Sequence, residues 1–328
     1  MRGHQLFADA LGRRAPQLSQ LTNQVSAPLQ VGVLGRPGVG RGTVASALAL
    51  AGLTVSGDGA DVAVLVVAEV IKPEDRAVLA AAKVPIVMVL NKADLAGFGP
   101  GGPLAMAGAQ AERLAAAARV RTRPLAGLLA TAGLADGVVD DAMLAALRVI
   151  AEQPVDLRSP DSFVAGPHDV DVPTRRRLLE RLDLFGIAHA VVALQHAPAT
   201  GPGALRQVFR AVSGIDDVVS AIGRAGAGVR YRRVVAACED LQVRAITDPE
   251  IADILVDADL VLARMAAAVD VLEADGVLVD PTDDPSAHLA RAVRWQALAD
   301  APLADLHRQC AHDIVRGSLR LLDPGLAA

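Results

Sequence analysis

The spacing of apolar positions changes along this chain, and the change divides it in two. Over residues 5–29, Leu6, Phe7, Leu11, Leu18, Leu21 and Val25 recur at roughly helical spacing, which predicts an N-terminal helix broken near Pro16. From residue 30 short continuous apolar runs take over. Strands are predicted at 30–34, 62–68, 84–90 and 122–129, with helices at 40–51, 73–83, 102–119 and 141–151. Pro73 opens its helix at the first turn, where a missing N–H costs nothing. Continuous apolar strands alternating with helices specify a parallel sheet covered on both faces. Residues 153–174 hold Pro154, Pro160, Gly166, Pro167 and Pro173 with little periodicity and read as a linker. Beyond it the strand signal fades. Amphipathic helices are predicted at 174–195, 203–212, 216–224, 230–244, 249–274, 286–300 and 303–322, with Gly214, Gly226, Gly228, Gly276 and Pro281 between them.

The organisation expected from this pattern is an α/β domain at 29–152, a linker at 153–174 and an all-α bundle at 175–328. The helix at 1–28 is expected to pack on the bundle, because neither apolar stripe can be buried alone. A chain of 328 residues has room for two such cores. Hydrophobic residues make up 52% but aromatics only 2%, so those cores are built from Ala, Val and Leu. The net charge of −5 and the lack of a long basic run argue against nucleic acid as a partner. Cys238 and Cys310 are too few for a disulfide framework and read as reduced thiols of a cytoplasmic protein. Residues 1–9 lack an apolar signal core, and no uncharged apolar run reaches the roughly 18 residues of a membrane span.

Two stretches carry candidate chemistry. The first strand runs into Gly35-Arg-Pro-Gly-Val-Gly-Arg-Gly-Thr43 and then a helix. Gly35, Gly38 and Gly40 allow backbone N–H groups to turn toward a phosphate, and the helix starting near Gly42 adds the positive end of its dipole. Arg41 stands where a lysine normally reaches the outer phosphates, and Gly42 where a hydroxyl normally ligates Mg²⁺. Thr43 comes one residue late for that role. Taken alone, the loop also fits an ordinary glycine-rich turn. The second stretch is Asn91-Lys92-Ala93-Asp94, directly after the strand at 84–90. Asn-Lys-x-Asp after a buried strand resembles the guanine-reading motif of the G domain, a resemblance that implies Asp94 accepts from the N1–H and 2-amino groups of guanine. Asn91 would tie this loop to the glycine-rich one, and the Lys92 stem would cover the purine face. Backbone at Leu125-Ala126-Gly127 would form the wall beside the base.

Residues 27–95 resemble P-loop GTPases. Ala-Pro-Leu-Gln-Val-Gly-Val-Leu-Gly35, with a helix before it and a helical half after it, is most similar to bacterial dynamin-like GTPases of actinobacterial type. Arg181-Leu-Asp-Leu-Phe-Gly-Ile187 and Ser213-Gly-Ile215 resemble their helical portions more loosely. The resemblance implies a fold of α/β class, a reduced G domain followed by a helical bundle. GTP or GDP is the implied ligand, held by Gly35, Gly38, Gly40, Arg41, Gly42, Thr43, Asn91, Lys92 and Asp94. It departs from that family between residues 52 and 61. Ten residues cannot hold the switch loops and strands of a complete G domain, and no Asp-x-x-Gly occurs there. With the lysine, the Mg²⁺-ligating hydroxyl and both switches missing, no catalytic or metal-binding residue is assigned, and nothing supports Mg²⁺ dependence.

The leading expectation is thus a pseudo-GTPase that binds guanine nucleotide weakly and partners an intact dynamin-like GTPase or itself. The alternatives are a minimal GTPase completed by a partner, and a structural protein that binds no nucleotide. Glu69, at a strand end, and Asp58 and Asp61, before that strand, are the carboxylates weighed as compensating metal ligands; a solvent-facing Glu69 and turn aspartates are the plainer reading. His307, Cys310 and His312 lack a fourth ligand. Arg175, Arg176, Arg177 and Arg181 form one basic patch, and Arg224, Arg230, Arg232 and Arg233 another. Solvated faces are the plainer reading of both, and peripheral contact with an anionic membrane is the alternative.

Overall fold

The computed structural model describes residues 2–97, 99–153 and 155–322. Pro154, one of the prolines of the expected linker, lies outside the described residues. Two compact units form, one from Met1–Pro28 with Gly223–Ala328 and one from Leu29–Ile222.

The chain opens with α1 (Gly3–Arg14) and α2 (Ser19–Ser26), split by a 3-10 turn that Pro16 starts. The α/β unit follows: β1 (Gln30–Leu34), α3 (Arg41–Leu50), β2 (Thr54–Val55), β3 (Val62–Val67), α4 (Pro73–Ala80), β4 (Ile86–Asn91), α5 (Gly102–Ala118) and β5 (Thr122–Leu125). The five strands form one parallel sheet in the order β2-β1-β3-β4-β5. All six residues of β3 are buried, as a central strand covered on both faces requires. Strand order reverses at β1, so the loops leaving the carboxyl ends of β1 and β3 part there and open a crevice.

β2 was not anticipated. It pairs Thr54 with Gln30 and Val55 with Val31, at the amino end of β1. The chain then crosses beneath β1 to start β3, where Val62 pairs with Val31 and Asp61 bonds both backbone groups of Gln30. Gly32 makes this crossing possible, since a Cβ there would stand 2.9 Å from the Ala60 methyl. The whole segment from 52 to 61 therefore stays at the amino edge of the sheet.

The expected strand at 122–129 ends at Leu125, and the rest of that apolar run is α6 (Gly127–Leu134). A short, wholly apolar run has no period to separate buried helix from strand. After α7 (Asp141–Glu152) the expected linker contains α8 (Pro160–Ala165), capped by Ser159 Oγ, with Phe163 fully buried. Arg175, expected in a basic patch, is 3% exposed and donates to the Phe163 and Gly166 carbonyls. Helices α9 (Val172–His196) and α10 (Pro202–Ser213) pack against α6 and α7 with one shared core. The α/β unit thus extends past residue 152 to 222, and the boundary falls inside α11 (Ile215–Ala225).

The other unit comprises α1, α2, α12 (Ala227–Ala245), α13 (Pro249–Val256), α14 (Ala258–Ala274), α15 (Pro285–Ala299) and α16 (Asp305–Arg320). The helix expected at 249–274 is broken by Asp257, whose side chain caps α14. α14 packs against α1, α12 and α16. A Cβ on Gly3 would lie 2.0 Å from Ala267 N, so α1 meets α14 at backbone contact, and Gly3 N donates to Asp270 Oδ2. Buried in this unit, Tyr231 Oη and Arg264 Nε both donate to Asp313 Oδ2, at 2.5 and 2.7 Å.

Candidate functional site

The two motifs meet at the carboxyl edge of the sheet. The glycine-rich loop leaves β1 with Gly35, Gly38 and Gly40 at φ of 149°, 84° and 85°, values that side-chain-bearing residues rarely adopt. Gly40 precedes α3, and its carbonyl accepts from Val44 N, so the N–H groups of Arg41, Gly42 and Thr43 lie ahead of the first intrahelical bond. A Cβ on Gly38 or Gly42 would meet nothing within 4 Å, which leaves that backbone approachable.

Asn91, the last residue of β4, is 4% exposed and holds this edge together. Its Nδ2 donates to the Val39 carbonyl at 2.9 Å, and its Oδ1 accepts from Gly127 N at 3.1 Å. One amide side chain therefore joins the glycine-rich loop, the end of β4 and the start of α6. Both neighbours have to be glycine. A Cβ at Gly40 would come within 2.3 Å of Asn91 Nδ2, and one at Gly127 within 2.7 Å of Asn91 Oδ1. Arg36 braces the loop on its other side, with Nε 3.1 Å from each oxygen of Asp75. Asp75 is buried in the first turn of α4 and also accepts from Lys72 N.

The remaining candidate residues divide. Arg41 is exposed on the first turn of α3 and forms no ion pair among the described residues. The Thr43 methyl packs against the start of α6, 3.4 Å from where a Gly127 Cβ would be. Lys92 is exposed in left-handed conformation and leads into the short 3-10 turn Ala93–Leu95 that presents Asp94. Burial raises the Asp94 carboxyl above its ordinary value, and the negative charge of Asp183 adds to the shift; its own backbone hydrogen bond and Lys92 oppose it. Asp183 was not expected here. It interrupts α9 with φ 56° and ψ 175°, and its Oδ1 caps the following segment through Leu184 N. A helix-capping residue inside an otherwise periodic run was the signal for this break.

Glu69 follows β3 at the carboxyl edge, exposed and at φ 66°, with Gln110 Nε2 of α5 donating to its carbonyl at 2.8 Å. Beside it, on the α5 side of the Asn91 loop, lies a cavity of about 330 Å³ bounded by Glu69, Lys92, Met106, Gln110 and Arg113. Asp61 lies at the opposite, amino edge with its carboxylate on Gln30 N, and the Asp58 carbonyl closes a turn with Ser56 Oγ. Neither approaches the motif residues. His307 pairs with Asp275, Cys310 is fully buried in the helical core and His312 is exposed, so these three do not converge. The basic patches are partly spent on structure. Arg177 pairs with Asp140, Arg230 donates to the Gly223 carbonyl and Arg233 to the Ala27 carbonyl. Among the described residues no helix is long and apolar enough to cross a membrane. No family model matches the chain, and neither a curated protein nor a solved structure matches it.

Proposed function

We propose that the α/β unit is a reduced P-loop G domain that binds guanine nucleotide without hydrolysing it. On this reading the protein is a pseudo-GTPase, a regulatory or interaction partner of an intact dynamin-like GTPase. The observation that carries the reading is the Asn91 clamp: the residue that a guanine-reading loop would use to hold its phosphate loop bonds both Val39 and Gly127. Asp94, three residues on, supplies a carboxylate with two acceptor oxygens. The glycine-rich backbone and the first-turn N–H groups of α3 suit a phosphate, and Arg41 is exposed beside them.

The same residues argue against turnover. Gly42 has no hydroxyl to offer a metal, and the segment from 52 to 61 stays at the amino edge, so it brings no group to the carboxyl edge where a γ-phosphate would lie. Phosphoryl transfer depends on positioned charge and a positioned nucleophile. On this reading the chain contributes backbone and Asp94 to binding, and among the described residues neither Gly42 nor the segment from 52 to 61 supplies such a group.

Asp94→Asn tests the base-reading role. It exchanges one acceptor for a donor facing the guanine edge, and loss of one charge-assisted hydrogen bond, about 1.5–3 kcal/mol, weakens GDP about 10- to 150-fold. Xanthosine diphosphate, which presents an acceptor in place of the 2-amino group, is expected to recover much of that loss. GDP affinity equal to that of the unaltered protein would overturn the assignment. For the partner role, sedimentation of the full chain with an intact dynamin-like GTPase and GDP is expected to show a stable complex; two independent species would contradict it.

A further inference from the structure

A second cavity lies within the helical unit, and its chemistry is distinct. It encloses about 540 Å³, within the roughly 300–1,000 Å³ typical of small-molecule sites. Its cations are Arg264, Arg316 and Arg320, and among the described residues that line it there is no carboxylate. The rest of the wall is mainly apolar: Leu255, Val256, Leu260, Val261 and Leu319, with Phe7 at the buried side. Val256 and Leu319 remain 66% and 50% exposed, so among the described residues the apolar lip is open to solvent. Cys238 also lines the cavity, and burial pushes its thiol pKa up, so it adds a neutral surface and no nucleophile.

The arginines are unequally committed. Arg264 is held by its ion pair to buried Asp313, which Tyr231 also donates to, so its guanidinium has a fixed position and its charge is balanced. Arg316 is exposed on α16 and has no ion-pair partner among the described residues. A fixed guanidinium, an unneutralised one and an apolar wall in one cavity suit a ligand with one negative end and one hydrocarbon end.

We propose that this cavity binds a single-chain amphiphilic carboxylate of the fatty-acid class. The carboxylate lies between Arg264 and Arg316, and the alkyl chain covers Val256, Leu260, Val261 and Leu319. Binding is non-covalent. It is independent of the nucleotide reading, since every lining residue belongs to the helical unit.

The test is calorimetric titration of the full-length protein with octanoate, decanoate and dodecanoate below their micelle concentrations, with decanol as the uncharged comparator. Saturation at one ligand per chain is expected, with affinity rising about fourfold per added methylene until the cavity is filled. Decanol is expected to bind about tenfold more weakly or worse than decanoate, and Arg316→Glu to weaken decanoate by a similar factor or more. Val256→Asp places a like charge at the lip and should act in the same direction, which provides a second reading if the Arg316 variant folds poorly. No saturable binding, equal affinity for decanol and decanoate, or decanoate binding unchanged in both folded variants would each overturn the proposal.

Discussion

Replacing Asn91 with alanine is the most informative perturbation of the carboxyl edge. The substitution removes two hydrogen bonds, to the Val39 carbonyl at 2.9 Å and from Gly127 N at 3.1 Å, and the site is 4% exposed. Net loss of one ordinary hydrogen bond costs about 1 kcal/mol, whereas an orphaned buried group costs about 1–3 kcal/mol. With two backbone groups orphaned and partial relief by entering water, the expected loss is about 2–4 kcal/mol. That is a large share of a domain's usual stability of about 5–15 kcal/mol. Native-state hydrogen exchange reads it directly. Peptides covering β4 and α6 should exchange about 30- to 900-fold faster where they open by global unfolding of the unit. The one tryptophan, Trp295, and the one tyrosine, Tyr231, both belong to the other unit, so the Trp295 fluorescence transition serves as an internal control and should not move. Unchanged exchange across 86–91 and 127–134 would refute the claim that this amide holds three elements together.

Further outcomes follow from other contacts. Gly40→Ala forces a methyl to 2.3 Å from Asn91 Nδ2 at φ 85°, and its backbone strain alone should cost about 1–2 kcal/mol in the same exchange measurement. Asp313→Ala leaves the Arg264 charge unpaired and should destabilise the helical unit by about 3–5 kcal/mol in urea unfolding followed at Trp295. GDP binding should weaken on acidification from above the ordinary aspartate value of 3.8, because Asp94 must be ionised to accept both hydrogen bonds and its pKa is raised; titrations of Asp94→Asn should lose that dependence. His4 is buried, and burial together with Arg230, Arg2 and Arg233 pulls its pKa from 6.5 down to about 4. The unfolded chain therefore binds the proton first, so stability of the helical unit should fall as pH drops from 6.5 toward 4, with a shallower fall in His4→Gln.

Much of the sheet was legible because β1, β3 and β4 are short, mainly apolar runs. β1 fills residues 30–34 as expected, and in β3 the short length and the valine-rich composition mark a strand where the unbroken burial gives no period. β2 left no trace, since two residues at Thr54–Val55 become a strand only by lying against Gln30 and Val31. In the stretch at 153–174 the prolines mask a helix start. Ser159-Pro160 is a capping residue followed by proline at the first turn, and it begins α8. Periodicity shows that α9 and α10 each have a buried face, but not that α6 packs against both. In the candidate site, Asn91 and Asp94 stood out by residue type and spacing. The bracing of Arg36 by Asp75, across 39 residues, and the charge of Asp183 near Asp94 arise only from tertiary placement.

The central claim is that a guanine nucleotide occupies the edge built by Asn91. Calorimetric titration of the unaltered full-length protein with GDP, GTP and ATP, each with and without Mg²⁺, tests it most directly. The account predicts saturable binding of GDP and GTP, no comparable binding of ATP, and affinities that do not depend on Mg²⁺. Absence of binding, equal affinity for ATP, or a strict requirement for Mg²⁺ would contradict it.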